Sequence, residues 1–269
     1  MTKIGIIEAT YRFYNLECIA GEPRYDTVQV EDKVRIGLDV STVYWSSKLA
    51  TERTRMVSDF IKDGEVLCDM FCGVGPLVMR AAAKRPKMLS LANDLNPQAV
   101  EFLKKNIKMN KVEKRVLPFN MDARKFLRMC VDSSDESEVK ASIPKQFLKF
   151  HHCYMNLPMD AFEFLDCFIG AFRNADKAIW TDKDGKFELP LIHVYGFTTE
   201  KEPEAAKQFF IERIRKAMRF PEFKASDIIS FHNIRDVSPI SHMYSTTFRL
   251  PEQVAFSEEK VELNFVEPE

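Results

Sequence analysis

Asp69, Gly73, Gly75, Asp94 and Asp122 are the residues whose types and spacing could do chemistry. The first three lie in Asp69-Met70-Phe71-Cys72-Gly73-Val74-Gly75-Pro76, between the apolar run Val66-Leu67-Cys68 and the helix formers Leu77 to Ala83. That order predicts strand, tight loop, helix. Glycine allows backbone angles that other residues resist, so the main chain can approach a ligand closely. Pro76 falls where a first helical turn accepts it, because its missing N–H would be unpaired there. Gly73-x-Gly75 lacks the third glycine of the dinucleotide fingerprint, which argues against NAD. Asp69 adds a carboxylate that would repel a pyrophosphate but could accept from the amino group of an amino-acid-bearing ligand. Asp94 lies about 20 positions beyond the loop, at the end of the second apolar run Met88 to Ala92, where an acid holds ribose hydroxyls. Adenosine joined to an amino acid is S-adenosylmethionine (SAM), so the pattern predicts a SAM-binding Rossmann-like domain. Taken singly, Asp94 and Asp122 read as loop aspartates capping the next helix; two beside a glycine loop at strand ends shift the balance toward cofactor contacts.

The elements that must position these residues follow from hydrophobic periodicity. Residues 1 to about 45 read as β-rich, with apolar runs at Tyr11 to Ile19, Thr27 to Val30 and Val34 to Leu38. Leu49 to Ile61 has a helical pattern and enters the glycine-loop strand through Lys62-Asp63-Gly64. Strands and helices then alternate, which predicts a mainly parallel sheet. Ala99, Phe102, Leu103 and Ile107 share a helix face; Arg115 to Asn120 and Phe150 to Met155 read as strands. A helix is expected over Ala161 to Phe172, a strand at Leu191 to Gly196, a helix at Glu204 to Met218, and closing strands at Asp227 to Phe231 and Tyr244 to Leu250. Residues 132–138 are a polar, acidic insertion expected to be mobile. The fold class expected is α/β, with a small β-rich lobe (1–48), a SAM-binding domain (49–256) and a tail (257–269).

Other candidates are weaker. Asn156-Leu157-Pro158 ends a strand, where an amide could pair with a nucleobase edge or simply be a polar strand end. Lys104, Lys105, Lys108, Lys111, Lys114 and Arg115 read equally as a solvated helix face and as phosphate contacts. His151 and His152 are adjacent in a strand and point to opposite faces, a poor metal pair. Cys72 would be a nucleophile only with a base beside it. The six cysteines lack metal-ligand spacing and read as buried thiols of a reducing compartment.

With 39 basic and 40 acidic residues the net charge is −1, so the broad positive excess of many nucleic-acid binders is absent and RNA contact would depend on local patches. No apolar run reaches the length of a membrane span, and the N-terminus lacks the pattern of a signal peptide. The expected location is the cytoplasm or nucleus, with a mitochondrial matrix pool open to a longer N-terminal form; no membrane association is expected.

Six motifs occur together and in order: Tyr11-Arg12-Phe13, Leu16 to Glu22, Val43-Tyr44-Trp45-Ser46-Ser47-Lys48-Leu49-Ala50-Thr51-Glu52-Arg53, Asp69 to Pro76, Asn93 to Pro97, and Asn156-Leu157-Pro158. In this the sequence resembles, from about residue 9 to about 256, the eukaryotic and archaeal tRNA (guanine-N1)-methyltransferase family, which modifies guanosine 37 beside the anticodon. The resemblance implies SAM as cofactor, the tRNA anticodon region as partner, a monomer and no metal. It implies Glu52 as general base, Arg12 and Asn156 on the target guanine, and Tyr44 near it. It also implies SAM contacts from Arg53, Asp94, Leu95, Asn96, Asp122, Ala123 and Asn156, beside the loop residues Asp69, Phe71, Gly73, Val74, Gly75 and Pro76. Two departures are mild: Cys72 stands where the family usually has alanine, and Lys48 where it has arginine. The family also carries an N-terminal domain that reads the outer corner of tRNA, and this sequence begins after it, so corner-dependent binding is not expected. Two alternatives remain: a relative that transfers the aminocarboxypropyl group of SAM in wybutosine synthesis, and a truncated, non-catalytic SAM-binding module.

Overall fold

The computed structural model describes residues 2–4, 11, 15–182 and 184–268. The strands are β1 Thr2–Ile4, β2 Asn15–Glu17, β3 Asp26–Glu31, β4 Val34–Asp39, β5 Val66–Asp69, β6 Leu89–Asn93, β7 Val116–Phe119, β8 His152–Met155, β9 Leu191–Thr198, β10 Ile228–Ser238 and β11 Ser241–Arg249. The α-helices are α1 Ala50–Asp59, α2 Pro76–Lys84, α3 Pro97–Met109, α4 Ala123–Val131, α5 Glu138–Ala141, α6 Lys177–Trp180, α7 Pro203–Ala217 and α8 Glu252–Ala255. Seven strands form one sheet in the order β10-β11-β9-β8-β5-β6-β7. β5–β8, β8–β9 and β6–β7 pair parallel, and β9–β11 and β10–β11 antiparallel. The α/β fold with a Rossmann-like sheet is therefore as the alternation of periods requires. No helix among the described residues is long and apolar enough to cross a membrane.

The chain divides into two compact units. The first holds residues 1–65, 72–122 and 267–269. Here β1 pairs with β2, and β3 with β4 in a hairpin running from Asp26↔Asp39 to Glu31↔Val34. The inward residues Ile36 and Leu38 of β4 join Met56, Val57, Val78, Leu91 and Leu103 in its core. α3 starts cleanly because the Asn96 carbonyl oxygen Oδ1 accepts from Gln98 N and Ala99 N, with Pro97 in the first turn.

The second unit holds residues 66–71 and 123–266. β5 and β8 are buried along their whole length, as strands covered on both faces must be. Its core is aromatic: Phe172 and Phe150 each meet Trp180 edge to face, at 4.8 and 5.0 Å between ring centres.

Two expectations are corrected here. The segment expected as a helix to Phe172 is a 3-10 helix, Ala161–Phe168. It stops because Gly170 adopts φ +66°, and a Cβ there would lie 2.6 Å from the Ser257 carbonyl oxygen. Gly170 N and Phe172 N donate instead to Val254 O and Ala255 O, so the chain around α8 draws this backbone out of the helix. The closing strands are longer than read, because polar residues such as His232, Asn233 and Arg235 continue β10 against β11. The acidic insertion is tied by local bonds: Asp132 Oδ1 accepts from Ser134 N and Oγ, Asp135 Oδ1 from Ser137 N, and Lys140 Nζ donates to the carbonyls of Met129 and Cys130.

Candidate functional site

The glycine loop is built from bonds between its own turns and the end of β6. Cys72 N donates to Asn93 O at 2.8 Å and Gly75 N to Cys72 O at 2.9 Å. Gly73 N donates to Asp94 Oδ2 at 2.7 Å, while Asp94 Oδ1 accepts from Asn96 N at 2.9 Å. Asp94 is thus fixed across its own turn and onto the loop; burial pushes its carboxyl above its ordinary value, against the two backbone N–H groups that lower it. Gly73 and Gly75 both take positive φ, +55° and +87°, for different reasons. A Cβ on Gly75 would meet Leu103 Cδ1 at 2.5 Å, so that glycine lets α3 pack; a Cβ on Gly73 would meet nothing within 4 Å. The Gly73 backbone is the part a ligand can approach. Gly75 caps α2 and Pro76 sits in its first turn, as the sequence predicts.

Asparagines hold this frame, and the sequence reading missed them. Asn93 Nδ2 donates to Met121 O and its Oδ1 accepts from Met121 N, which fixes the turn before the buried Asp122. Asn120 Nδ2 donates to the carbonyls of Asp94 and Leu95. Asn106, wholly buried, donates to Val74 O at 2.9 Å. An asparagine on the apolar face of an amphipathic helix pattern was the available signal.

Glu52 lies in the first turn of α1 and is 3% exposed. Arg55 grips it with both arms of the guanidinium, Nε to Oε2 and Nη2 to Oε1, each 2.7 Å. Arg53, on the same helix, holds Glu31 through Nε at 3.1 Å and Nη2 at 2.5 Å and lies over the Trp45 ring. Tyr44 is 41% exposed. Arg12 lies outside the described residues.

In the second unit, Asp69 ends β5, buried, and its Oδ1 accepts from Phe71 N at 3.3 Å. Phe71 meets Phe164 edge to face, and Arg124 lies over the same Phe164 ring at 4.1 Å while pairing with Asp166. Asn156 follows β8, half-buried, with Nδ2 3.2 Å from Tyr154 OH. The next turn is closed by Leu157 O, which accepts from Asp160 N and Ala161 N. Ala123 opens α4. His151 and His152 diverge as expected: His151 Nδ1 accepts from Val66 N, while His152 Nδ1 lies 3.0 Å from His193 Nε2 in the core.

Arg115 is not part of a basic surface, because Nη1 donates inward to the carbonyls of Ala82 and Arg85. Lys104 pairs with Glu101 at 2.7 Å and Lys105 lies over Phe102, so these lysines form the outward face of α3. Burial pushes the thiols of Cys68, Cys130 and Cys153 up, which keeps them unreactive.

Known proteins are similar to this chain in sequence and in fold. A tRNA (guanine(37)-N(1))-methyltransferase of Candida albicans is 36% identical over 292 residues, covering 96% of this chain and 63% of that protein. A tRNA (guanine(37)-N(1))-methyltransferase 1 of Vitis vinifera is 38% identical, covering 96% of this chain and 38% of its own length. The crystal structure of wild-type Trm5b from Pyrococcus abyssi superposes with a TM-score of 0.64 at 33% identity, covering 92% of this chain and 62% of that one. This chain therefore spans less than two thirds of the length of each of these relatives. The family model described as the TRM5/TYW2 methyltransferase domain matches residues 27–179, more than half of the 269 residues, and the chain belongs to that family.

Proposed function

We propose that this chain carries the catalytic domain of a tRNA (guanine-N1)-methyltransferase, transferring a methyl group from SAM to N1 of guanosine 37 in the tRNA anticodon region, and acting as a monomer. The observation that carries this reading is the Gly73–Asp94 pair: a backbone open to close approach, with a carboxylate held beside it. The guanine-37 N1-methyltransferase activity for which the relatives are named supports it.

The residues fit SAM. An open Gly73 backbone suits close approach by the ligand, Asp94 and the buried Asp122 suit ribose hydroxyls, and Asp69 suits an amino group. Phe71, Val74, Pro76, Leu95, Asn96, Ala123, Asn156 and Arg53, the last held by Glu31, are the further residues assigned to SAM. SAM, when bound, supplies an electrophilic methyl group on a sulfonium.

N1 of guanine bears a proton and is a poor nucleophile until that proton is removed. Glu52 takes it on a carboxylate oxygen as general base, with Arg55 orienting the carboxylate. Negative charge then develops toward O6, where the Arg12 guanidinium donates to it. Asn156 pairs its amide with the base edge and Tyr44 packs against the base. Alignment of base and methyl donor is the protein's main contribution.

The test is transfer from labelled SAM to unmodified tRNA, followed by nucleoside analysis. Methylated guanosine at position 37 is the expected product. An aminocarboxypropyl adduct would replace this reading with the wybutosine-type reaction, and SAM binding without transfer would replace it with a binding module.

A further inference from the structure

The second unit contains a cavity of about 720 Å³ at the end of α4, lined by Arg128, Arg173 and Lys177 and by the half-buried rings of Phe187 and Phe256. Arg128 Nη2 is spent on Ile169 O at 2.6 Å, but its Nε is buried and has no hydrogen-bond partner among the described residues. A buried charged donor left without a partner is costly, so an acceptor brought to it would stabilise the site. Burial pulls the Arg128 guanidinium below its ordinary value and Arg173 adds to this, while Cys167, Asp132 and Asp166 act the other way. Arg128 and Arg173 both line the cavity, so an anion bound there lies near both guanidiniums.

Two carboxylates also line the wall, Asp132 and Glu258, so the three cationic side chains are offset only in part and an excess of one positive charge remains. Asp132 is engaged by Ser134 through N and Oγ and by Asn174 Nδ2 at 3.4 Å. Glu258 is 91% exposed and lies 3.4 Å from Arg173 Nη1, a loose surface contact that an incoming anion can displace.

We propose that this cavity is a binding site for a phosphate ester, gripped by Arg128 and Arg173 with Lys177 at its rim. Guanidiniums match phosphate oxygens with paired N–H donors. The volume exceeds what a bare ion fills, and Phe187 and Phe256 offer an aromatic wall, which suits a nucleotide, free or within an RNA strand. This site uses none of the residues assigned to methyl transfer.

Titration of the whole chain with AMP, read from the arginine Nε–Hε resonances, tests it, with SAM saturating so that an adenosine site at the glycine loop is filled. The Arg128 Hε signal moves and saturates with AMP and stays still with adenosine. Arg173→Gln and Arg128→Lys each weaken AMP at least tenfold and leave SAM affinity unchanged. Should Arg128→Lys fail to fold, Arg173→Gln alone decides, because that side chain reaches the surface. A short single-stranded RNA that moves the same signals, and is weakened by Arg173→Gln, identifies the phosphate as part of RNA; a response to AMP alone identifies a free nucleotide. No movement with either probe, an equal response to adenosine, or AMP affinity unchanged in both variants overturns the proposal.

Discussion

Asn106 and Gly37, 69 positions apart, exchange two hydrogen bonds: Gly37 N donates to Asn106 Oδ1 at 2.7 Å, and Asn106 Nδ2 donates to Gly37 O at 3.0 Å. The same Nδ2 donates to Val74 O, and one helical turn later Asn110 repeats the exchange with the N–H and C=O of Arg35. The side-chain amides of Asn106 in α3 and of Asn110 at its C-cap thereby satisfy alternate residues of the β4 edge, as a neighbouring strand would. One of them also fixes the glycine loop. Asn106→Leu removes three hydrogen bonds and leaves buried backbone groups unpaired, so it should cost at least about 2 kcal/mol of stability. Asn106→Asp keeps the acceptor but turns a buried carboxylate oxygen toward the Gly37 and Val74 carbonyls, so it should cost more. Urea unfolding measures the first effect and SAM calorimetry the displacement of the loop.

The two loop glycines should fail differently. Gly75→Ala places a methyl against Leu103 at positive φ and should destabilise by about 1–3 kcal/mol. Gly73→Ala meets open space, costs about 1–2 kcal/mol of backbone strain, and loses SAM affinity more than stability. Paired unfolding and binding measurements on both variants show the split; equal losses of SAM affinity would place the ligand elsewhere.

Burial raises the Asp94 carboxyl above its ordinary value of 3.8, so between that pH and the raised value the folded chain holds a proton that the unfolded chain has released. Stability from this group is therefore greatest at acid pH and falls as pH rises through the window. SAM affinity runs the opposite way, because the ionised form is the better acceptor for ribose hydroxyls. Asp94→Asn should flatten both profiles and weaken SAM by about 1–3 kcal/mol. Wild-type affinity that is flat from pH 4 upward (about the ordinary carboxylate range) would remove Asp94 from the ribose.

Glu52→Gln keeps the shape but cannot accept the N1 proton, so methyl transfer should fall about 10²–10⁴-fold with SAM affinity unchanged. The substitution also leaves Arg55 facing a neutral amide in a largely buried pair, so some stability is lost. Single-turnover rates at saturating tRNA, taken below the variant's unfolding temperature, separate the two effects. A rate within a few-fold of the parent would mean that the base lies elsewhere.

RNA affinity should be modest and fall steeply with salt, since the net charge of −1 leaves only local cationic patches to neutralise phosphates. Lys104→Glu with Lys108→Glu should lower the salt slope without changing the methylated atom. An affinity unchanged between low and physiological salt would contradict this.

Local chemistry wrote much of the fold into the sequence. Val66 to Ala83 could be read as strand, loop and helix because apolar run, glycines and Pro76 act within a few residues of one another. Asn96-Pro97 announced α3 for the same reason, through a cap and a first-turn proline. What the tertiary structure decided is which distant partner each polar group takes. Arg53 turns to Glu31, 22 positions away, and Arg115 turns inward to Ala82, 33 away; neither choice leaves a trace in periodicity. The 3-10 ending at Phe168 was equally hidden, because its cause is the chain at Val254 to Ser257 competing for the backbone of Gly170 and Phe172. Sequence spacing determines which residues share a strand or a helix face, whereas hydrogen-bond partners are chosen only once burial removes water as the alternative.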